Sequence, residues 1–86
     1  MLVLEDEEVV RDFVLHILHD QGFSTLSAAN GPAGLEMLQS RGDVDLLITD
    51  IGLPGLNGRQ VADAARLLHP DLKVLFMTGY AENAAF

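Results

Sequence analysis

Three carboxylates and one hydroxyl in this chain follow short apolar runs of the kind that forms buried strands. They are Glu5, Asp6, Asp50 and Thr78. In a parallel sheet, the side chains that follow the strands line one edge, and α/β proteins bind ligands along that edge. If the first and third runs form neighbouring strands, the three carboxylates meet in one cleft.

A cluster of three carboxylates favours a divalent cation, because neighbouring carboxylates cannot all ionise without a counterion. Mg²⁺ typically takes one or two carboxylates together with water and phosphate oxygens, and Mn²⁺ accepts similar ligands. One carboxylate could then act as a nucleophile while the Thr78 hydroxyl hydrogen-bonds a phosphoryl oxygen. The four residues together predict phosphoryl transfer, although each acid taken alone is equally typical of a helix cap or a solvated turn.

The chain is organised around the stretch from residue 49 to residue 58. It follows the apolar run 44–48, and three glycines and one proline come within the eight residues after Asp50. This composition predicts a tight turn out of a buried strand, and a helical pattern begins directly after it. Asp50 is therefore expected at the carboxyl end of a buried strand.

Apolar runs and helical patterns alternate along the chain, which predicts a parallel sheet with right-handed crossovers. The predicted strands cover residues 2–4, 23–27, 45–49 and 73–77, with Ala28 and Ala29 as an extension of the second. The predicted helices cover residues 8–21, 33–40 and 59–68, and a fourth begins at residue 81. Gly22 is expected to end the first helix and Asn30 to cap the second.

Composition limits the classes of function that remain. Eighty-six residues make one small domain, and thirteen acids against five bases give a net charge of −8, which argues against direct nucleic-acid contact. The absence of cysteine excludes disulfides and thiolate–metal sites. The sequence has no apolar stretch long enough for a membrane span and no secretory signal, so we expect no membrane contact and a cytoplasmic location.

Three segments carry a resemblance to a known family: residues 3–7, residues 50–58 and residues 73–81. In this order and at this spacing, they resemble the receiver domains of two-component response regulators and of hybrid histidine kinases. The resemblance covers nearly the whole chain. It implies a flavodoxin-like α/β fold, a three-layer doubly wound parallel sheet with strand order 2-1-3-4.

The resemblance also implies a role for each site residue. Asp50 would accept a phosphoryl group from a histidine kinase or a histidine phosphotransfer domain. Glu5 and Asp6 would hold Mg²⁺ with Asp50, and the backbone carbonyl of Gly52 would be a further ligand. Thr78 would be the hydroxyl that moves toward the phosphoryl group and switches a partner or output surface. Such a domain is no enzyme beyond self-phosphorylation and autodephosphorylation.

The sequence departs from the family at its carboxyl end. Receiver domains continue through a fifth strand and helix, and a lysine that ends this strand contacts the phosphoryl group. The sole lysine here, Lys73, begins the fourth strand. We therefore expect residues 1–86 to form a single receiver domain that lacks these elements, with weak Mg²⁺ binding and poor or no phosphorylation. We also expect a homodimer through the uncovered fourth strand and fourth helix.

Other α/β sites fit the sequence less well. The glycines at positions 52, 55 and 58 do not form the dinucleotide fingerprint, and they do not follow the first strand. An aspartyl phosphatase would need a carboxylate where Gly52 stands. Metal binding by His16 and His19 is the bolder interpretation of two histidines that are more typical of an exposed helix face. The remaining alternative is a receiver-like module that binds partners and no longer takes phosphate.

Overall fold

Four parallel strands form one sheet in the computed structural model, which describes residues 1–53 and 55–77. The strands are β1 (Leu2–Leu4), β2 (Leu26–Ala28), β3 (Leu46–Asp50) and β4 (Lys73–Met77), and their order in the sheet is β2-β1-β3-β4. The helices are α1 (Glu8–Asp20), α2 (Gly31–Ser40) and α3 (Gly58–Leu68). The predicted fold class and strand order are confirmed. Thr78 and the predicted fourth helix lie outside the described residues.

The strand order places the helices on opposite faces of the sheet. The step from β1 to β2 and the step from β3 to β4 run in opposite directions across the sheet. Because both crossovers are right-handed, α1 covers one face and α3 covers the other. Alpha-helix α2 packs beside α3. No helix among the described residues is long and apolar enough to cross a membrane.

The principal core lies between the sheet and the pair α2 and α3. Leu4 and Leu47 extend from β1 and β3 into this core, where they meet Leu38 of α2 and Val61 of α3. All four side chains are fully or almost fully buried. A Cβ on Gly34 of α2 would lie 2.9 Å from Leu4 Cδ1, so the absence of a side chain there lets α2 approach the sheet closely.

Helix α3 begins directly against the backbone of Asp50. A Cβ on Gly58, the first residue of α3, would overlap the carbonyl oxygen of Asp50, and the Gly58 amide donates to the Ile51 carbonyl at 3.2 Å. Asn57 and Gln60 form a reciprocal capping box at the same helix start, with bonds of 2.9 and 3.0 Å. The turn after β3 is therefore held at both of its ends.

Several boundaries differ from the sequence-based prediction. Strand β2 begins at Leu26, where its amide bonds the Met1 carbonyl at 2.8 Å, whereas the Phe23 amide still bonds Leu18 at the end of α1. The short partner strand β1 sets this register, so residues 23–25 lie outside the sheet. Helix α2 starts at Gly31, two residues before its predicted start, and Asn30 caps it as predicted. Gly22 follows α1 with a φ of 88°, as expected of a residue that ends a helix.

Apolar side chains remain exposed on α1 and β4. No residue of α1 is buried, and Phe13 in its apolar stripe is 65% exposed. Among the described strands β4 pairs with β3 only, and Leu75 of β4 is 55% exposed. In the described part of the chain, the α1 face and β4 therefore both carry exposed apolar side chains.

Candidate functional site

Three carboxylates converge at the edge of the sheet where β1 and β3 end. Leu4 pairs with Thr49, so the next residues along the two strands, Glu5 and Asp50, lie side by side. One carboxylate oxygen from each of Glu5, Asp6 and Asp50 lies within 4.8 Å of the other two. Among the described residues this is the sole group of three or more such ligands, so His16 and His19 belong to no comparable cluster.

The amide, the carbonyl and the carboxylate of Glu5 each form a hydrogen bond. Its side chain is 4% exposed, and its carboxylate oxygen Oε1 accepts the Glu7 amide at 3.1 Å. Its own amide donates to the Ala28 carbonyl of β2 at 3.2 Å. Its carbonyl oxygen accepts a bond from Arg11 Nη1 at 2.9 Å. Asp6, by contrast, is exposed, so the site joins one fixed carboxylate to one that is open to solvent.

Asp50 is the last residue of β3 and is half-buried. Its carboxylate oxygen Oδ1 accepts the Gly52 amide at 3.0 Å, which closes a tight turn over the end of the strand. A Cβ on Gly52 would lie 3.7 Å from the same oxygen, an ordinary contact that would place a side chain beside the carboxylate. The structure thus shows the amide of Gly52 against Asp50, while the role of its carbonyl as a metal ligand stays a prediction.

The pKa of the Glu5 carboxyl reflects its burial and the charges of the cluster. Burial away from water raises the pKa of the Glu5 carboxyl from 4.5 to about 7, and the neighbouring charges of Asp50 and Asp6 raise it as well. The hydrogen bond from the Glu7 amide acts in the opposite direction. At neutral pH the metal-free Glu5 carboxyl therefore keeps its proton far more readily than an ordinary glutamate does.

The donor set fits a hard divalent cation. Mg²⁺ takes oxygen ligands at about 2.1 Å in an octahedron, which brings neighbouring ligand oxygens within about 3 to 4 Å of one another. The three carboxylate oxygens are already close to that spacing. Glu5, Asp6 and Asp50 would hold the cation, and its charge would replace the proton that the cluster otherwise keeps on Glu5.

Other sequence-predicted residues lie away from this cluster. Lys73 is the first residue of β4 and pairs with Leu46, the first residue of β3, so it lies at the amino ends of the strands, away from the carboxylates. His16 lies on the exposed face of α1, with 3.3 Å between its Nε2 and Asp20 Oδ2. His69 ends α3, and its Nε2 lies 2.7 Å from the Leu38 carbonyl, which ties α3 to α2. Thr78 lies outside the described residues, so its role stays a prediction.

Sequence reasoning missed two contacts that shape the site. The bond from Arg11 to the Glu5 carbonyl and the close approach of Gly58 to Asp50 both involve main-chain atoms. Main-chain acceptors leave no pattern in a sequence. The Asn57–Gln60 capping box did have a signal, because asparagine followed three residues later by glutamine is typical of a helix start.

Comparison with known proteins gives one consistent result. The family model for the response regulator receiver domain matches residues 1–86. The response regulator receiver protein CpdR of Brucella abortus is 36% identical over 84 residues, which cover 98% of this chain and 69% of that protein. The sensor kinase CckA of the same organism is 35% identical over 85 residues, and the chain spans only 9% of that kinase.

Solved structures agree with the sequence comparisons. The receiver domain of the hybrid histidine kinase CckA superposes with a TM-score of 0.85 at 35% identity, over 92% of this chain and 74% of that one. The response regulator TrrA of Thermotoga maritima, solved in complex with Mg²⁺–BeF, superposes with a TM-score of 0.86 at 32% identity. That match covers 98% of this chain and 72% of the TrrA chain.

Proposed function

The chain belongs to the response regulator receiver domain family, and on that premise we propose that Asp50 is the residue that accepts the phosphoryl group. Receiver domains are the phosphoacceptor signalling modules of two-component systems. The observation that carries the assignment is the convergence of three carboxylates within 4.8 Å at the carboxyl edge of the sheet. Of these three, Asp50 ends the strand β3, which lies between two other strands, and it precedes the tight turn.

The geometry prepares one oxygen of Asp50 for attack. The Gly52 amide holds Oδ1, and in the described structure no hydrogen bond occupies Oδ2. Attack by this oxygen on the phosphorus of a phosphohistidine forms the O–P bond of an acyl phosphate and breaks the P–N bond, and the imidazole leaves with the electron pair of that bond. A bound cation supplies positive charge to the phosphoryl oxygens during the transfer.

Glu5 and Asp6 prepare the same site from the neighbouring strand. Buried Glu5 would have to give up its proton to act as a ligand, while Asp6 is exposed to solvent. We propose Mg²⁺ as the cofactor, with Mn²⁺ able to replace it because both are hard cations that accept carboxylate ligands. The chemistry proposed for the chain itself is limited to self-phosphorylation and autodephosphorylation.

The proposed phosphodonor is a histidine kinase or a histidine phosphotransfer domain. The net charge of −8 supports the further proposal that this segment makes no direct contact with nucleic acid. Among the described strands β4 pairs with β3 only, and this pairing and exposed Leu75 support self-association through strand four. A contribution of helix four to that contact, and a cytoplasmic location, stay predictions.

Beryllofluoride with Mg²⁺ tests the proposed site in solution, because it imitates a phosphoryl group without requiring turnover. We expect the amide NMR signals of Glu5, Asp6 and Gly52 to shift when both are added to the wild-type chain. Asp50→Asn should abolish the response to beryllofluoride. Asp45→Asn is the matched control, since exposed Asp45 precedes the opposite end of β3.

The same titration separates the two candidate functions. A response that is centred on Asp50 and lost in Asp50→Asn supports a phosphoacceptor. A wild-type chain that responds to neither Mg²⁺ nor beryllofluoride would favour the receiver-like module that only binds partners.

A further inference from the structure

Arg11 makes an unusual contact for an arginine beside an acidic cluster. Its guanidinium reaches back from the first turns of α1 to the main-chain carbonyl of Glu5, with 2.9 Å between Nη1 and the oxygen. In the described part of the chain the close contacts between basic and acidic side chains are His16–Asp20 and Arg41–Asp43, so Arg11 pairs with none of the described carboxylates. The half-buried arginine therefore bonds the backbone of a residue of the carboxylate cluster and none of the cluster's carboxylates.

The acceptor of this bond is the carbonyl that joins two of the proposed metal ligands. The Glu5 carbonyl and the Asp6 amide nitrogen belong to one planar peptide unit. Fixing the oxygen of that unit also fixes the directions in which the chain leaves toward Glu5 and toward Asp6. The other anchors of Glu5, its bonds with Ala28 and Glu7, act on its amide and its side chain. Among the described contacts, the Arg11 bond is the one that holds the plane of the peptide between the two ligands.

We propose that Arg11 is a positioning residue for the cation site, and that it acts by holding the Glu5–Asp6 peptide in the orientation that directs both carboxylates toward Asp50. This role rests on the proposed function. Groups that orient metal ligands without touching the metal typically change its affinity by 10- to 100-fold when they are removed. Because Glu5 keeps two other anchors, we expect an effect near the lower end of that range.

A positioning role and a purely electrostatic role predict opposite changes in Mg²⁺ affinity when Arg11 is removed. If the arginine acted through its charge, its removal would leave a more negative site, and Mg²⁺ would bind more tightly. If it acts by position, its removal loosens the Glu5–Asp6 peptide, and Mg²⁺ binds more weakly. The direction of the change in affinity therefore distinguishes the two mechanisms.

The test is a Mg²⁺ titration of the metal-free 86-residue chain, followed by NMR at constant pH and ionic strength. We expect Arg11→Ala to weaken the affinity by roughly tenfold. Arg11→Lys keeps a donor for the Glu5 carbonyl on a shorter side chain, so its affinity should fall between those of Arg11→Ala and the wild type. Arg66→Ala is the matched control, because it removes the same charge from an exposed position in the last turn of α3 and should leave the affinity unchanged.

A spectroscopic signature of the bond accompanies the titration. The signal of the Asp6 amide nitrogen should shift in metal-free Arg11→Ala, because the carbonyl of its peptide unit loses a donor. It should shift less in Arg11→Lys, which keeps a weaker donor, and should stay in place in Arg66→Ala. If Arg11→Ala does not fold, Arg11→Lys serves as the test. A Mg²⁺ affinity of Arg11→Lys equal to that of the wild type would then overturn the proposal.

The possible failures are distinguishable. Wild-type affinity or tighter binding in folded Arg11→Ala would overturn the positioning role and leave the proposed function intact. No Mg²⁺ binding by the wild-type chain would overturn the proposed function, and the role of Arg11 with it.

Discussion

Replacing Glu5 with glutamine should stabilise the metal-free protein and abolish its stabilisation by Mg²⁺. The carboxyl of Glu5 has a pKa of about 7 in the folded chain and an ordinary value of 4.5. The folded state therefore binds the proton more tightly than the unfolded state does. Between those two values the free energy of unfolding falls as the pH rises, and it levels off above pH 7.

The size of the effect follows from the difference between the two pKa values. At about 1.4 kcal/mol for each pKa unit, the ionised carboxylate costs the metal-free fold roughly 3 to 4 kcal/mol above pH 7. Glutamine has the same shape and carries no charge, and its oxygen can still accept the Glu7 amide that now bonds Oε1. Glu5→Gln should therefore remove the cost without removing the hydrogen bond. The substitution also removes a proposed metal ligand. A cation that binds only the folded state raises the free energy of unfolding, so added Mg²⁺ should no longer stabilise Glu5→Gln.

Urea unfolding at several pH values, in chelator and in Mg²⁺, measures both effects. In chelator the wild-type chain should lose stability relative to Glu5→Gln between pH 4.5 and pH 7, and Glu8→Gln should follow the wild type. Glu8 is a suitable control because it is an exposed acid in the first turn of α1. Equal slopes for the wild type and Glu5→Gln, or a less stable Glu5→Gln above pH 7, would refute the assigned titration.

Two further predictions follow from main-chain contacts and open surfaces. Gly58→Ala should lower the free energy of unfolding by about 1–3 kcal/mol and shift the NMR signals around Asp50, because a Cβ at position 58 overlaps the Asp50 carbonyl. Gly42→Ala is the control, because a Cβ at position 42 meets no atom within 4 Å. An equal loss of stability in both variants would count against this explanation. The wild-type chain should self-associate in light scattering at high concentration. Leu75→Lys should reduce the association because it places a charge on β4, which pairs only with β3 among the described strands. A wild-type monomer at all concentrations would contradict this prediction.

The elements that the sequence predicts best are those with a continuous local signal. Strands β1 and β4 occupy the predicted residues because each is an apolar run bounded by polar or turn residues. Strand β2 lies further along the chain than predicted, because its position depends on the short partner strand β1. The sequence pattern predicts Asp50 just after its strand, whereas Asp50 is the last residue of β3 because it pairs with Met77. Pairing between strands is a long-range property that a local pattern does not contain.

The candidate site likewise has some features that the sequence predicts and others that only the fold determines. The residue types and strand ends predict the meeting of Glu5, Asp6 and Asp50, and the structure brings them together. The raised pKa of Glu5 depends on how deeply the fold buries its carboxyl, which no spacing of residues indicates. The bond from Arg11 to the Glu5 carbonyl depends on the direction in which the chain leaves β1.

The most direct test of the central claim is the location of the phosphoryl group. The chain is incubated with acetyl phosphate and Mg²⁺, any acyl phosphate is trapped by reduction with borohydride, and the altered residue is found by mass spectrometry. We expect a low yield, with the label confined to Asp50, dependent on Mg²⁺ and lost in Asp50→Asn. A label on another carboxylate, or one that persists in Asp50→Asn, would contradict the account.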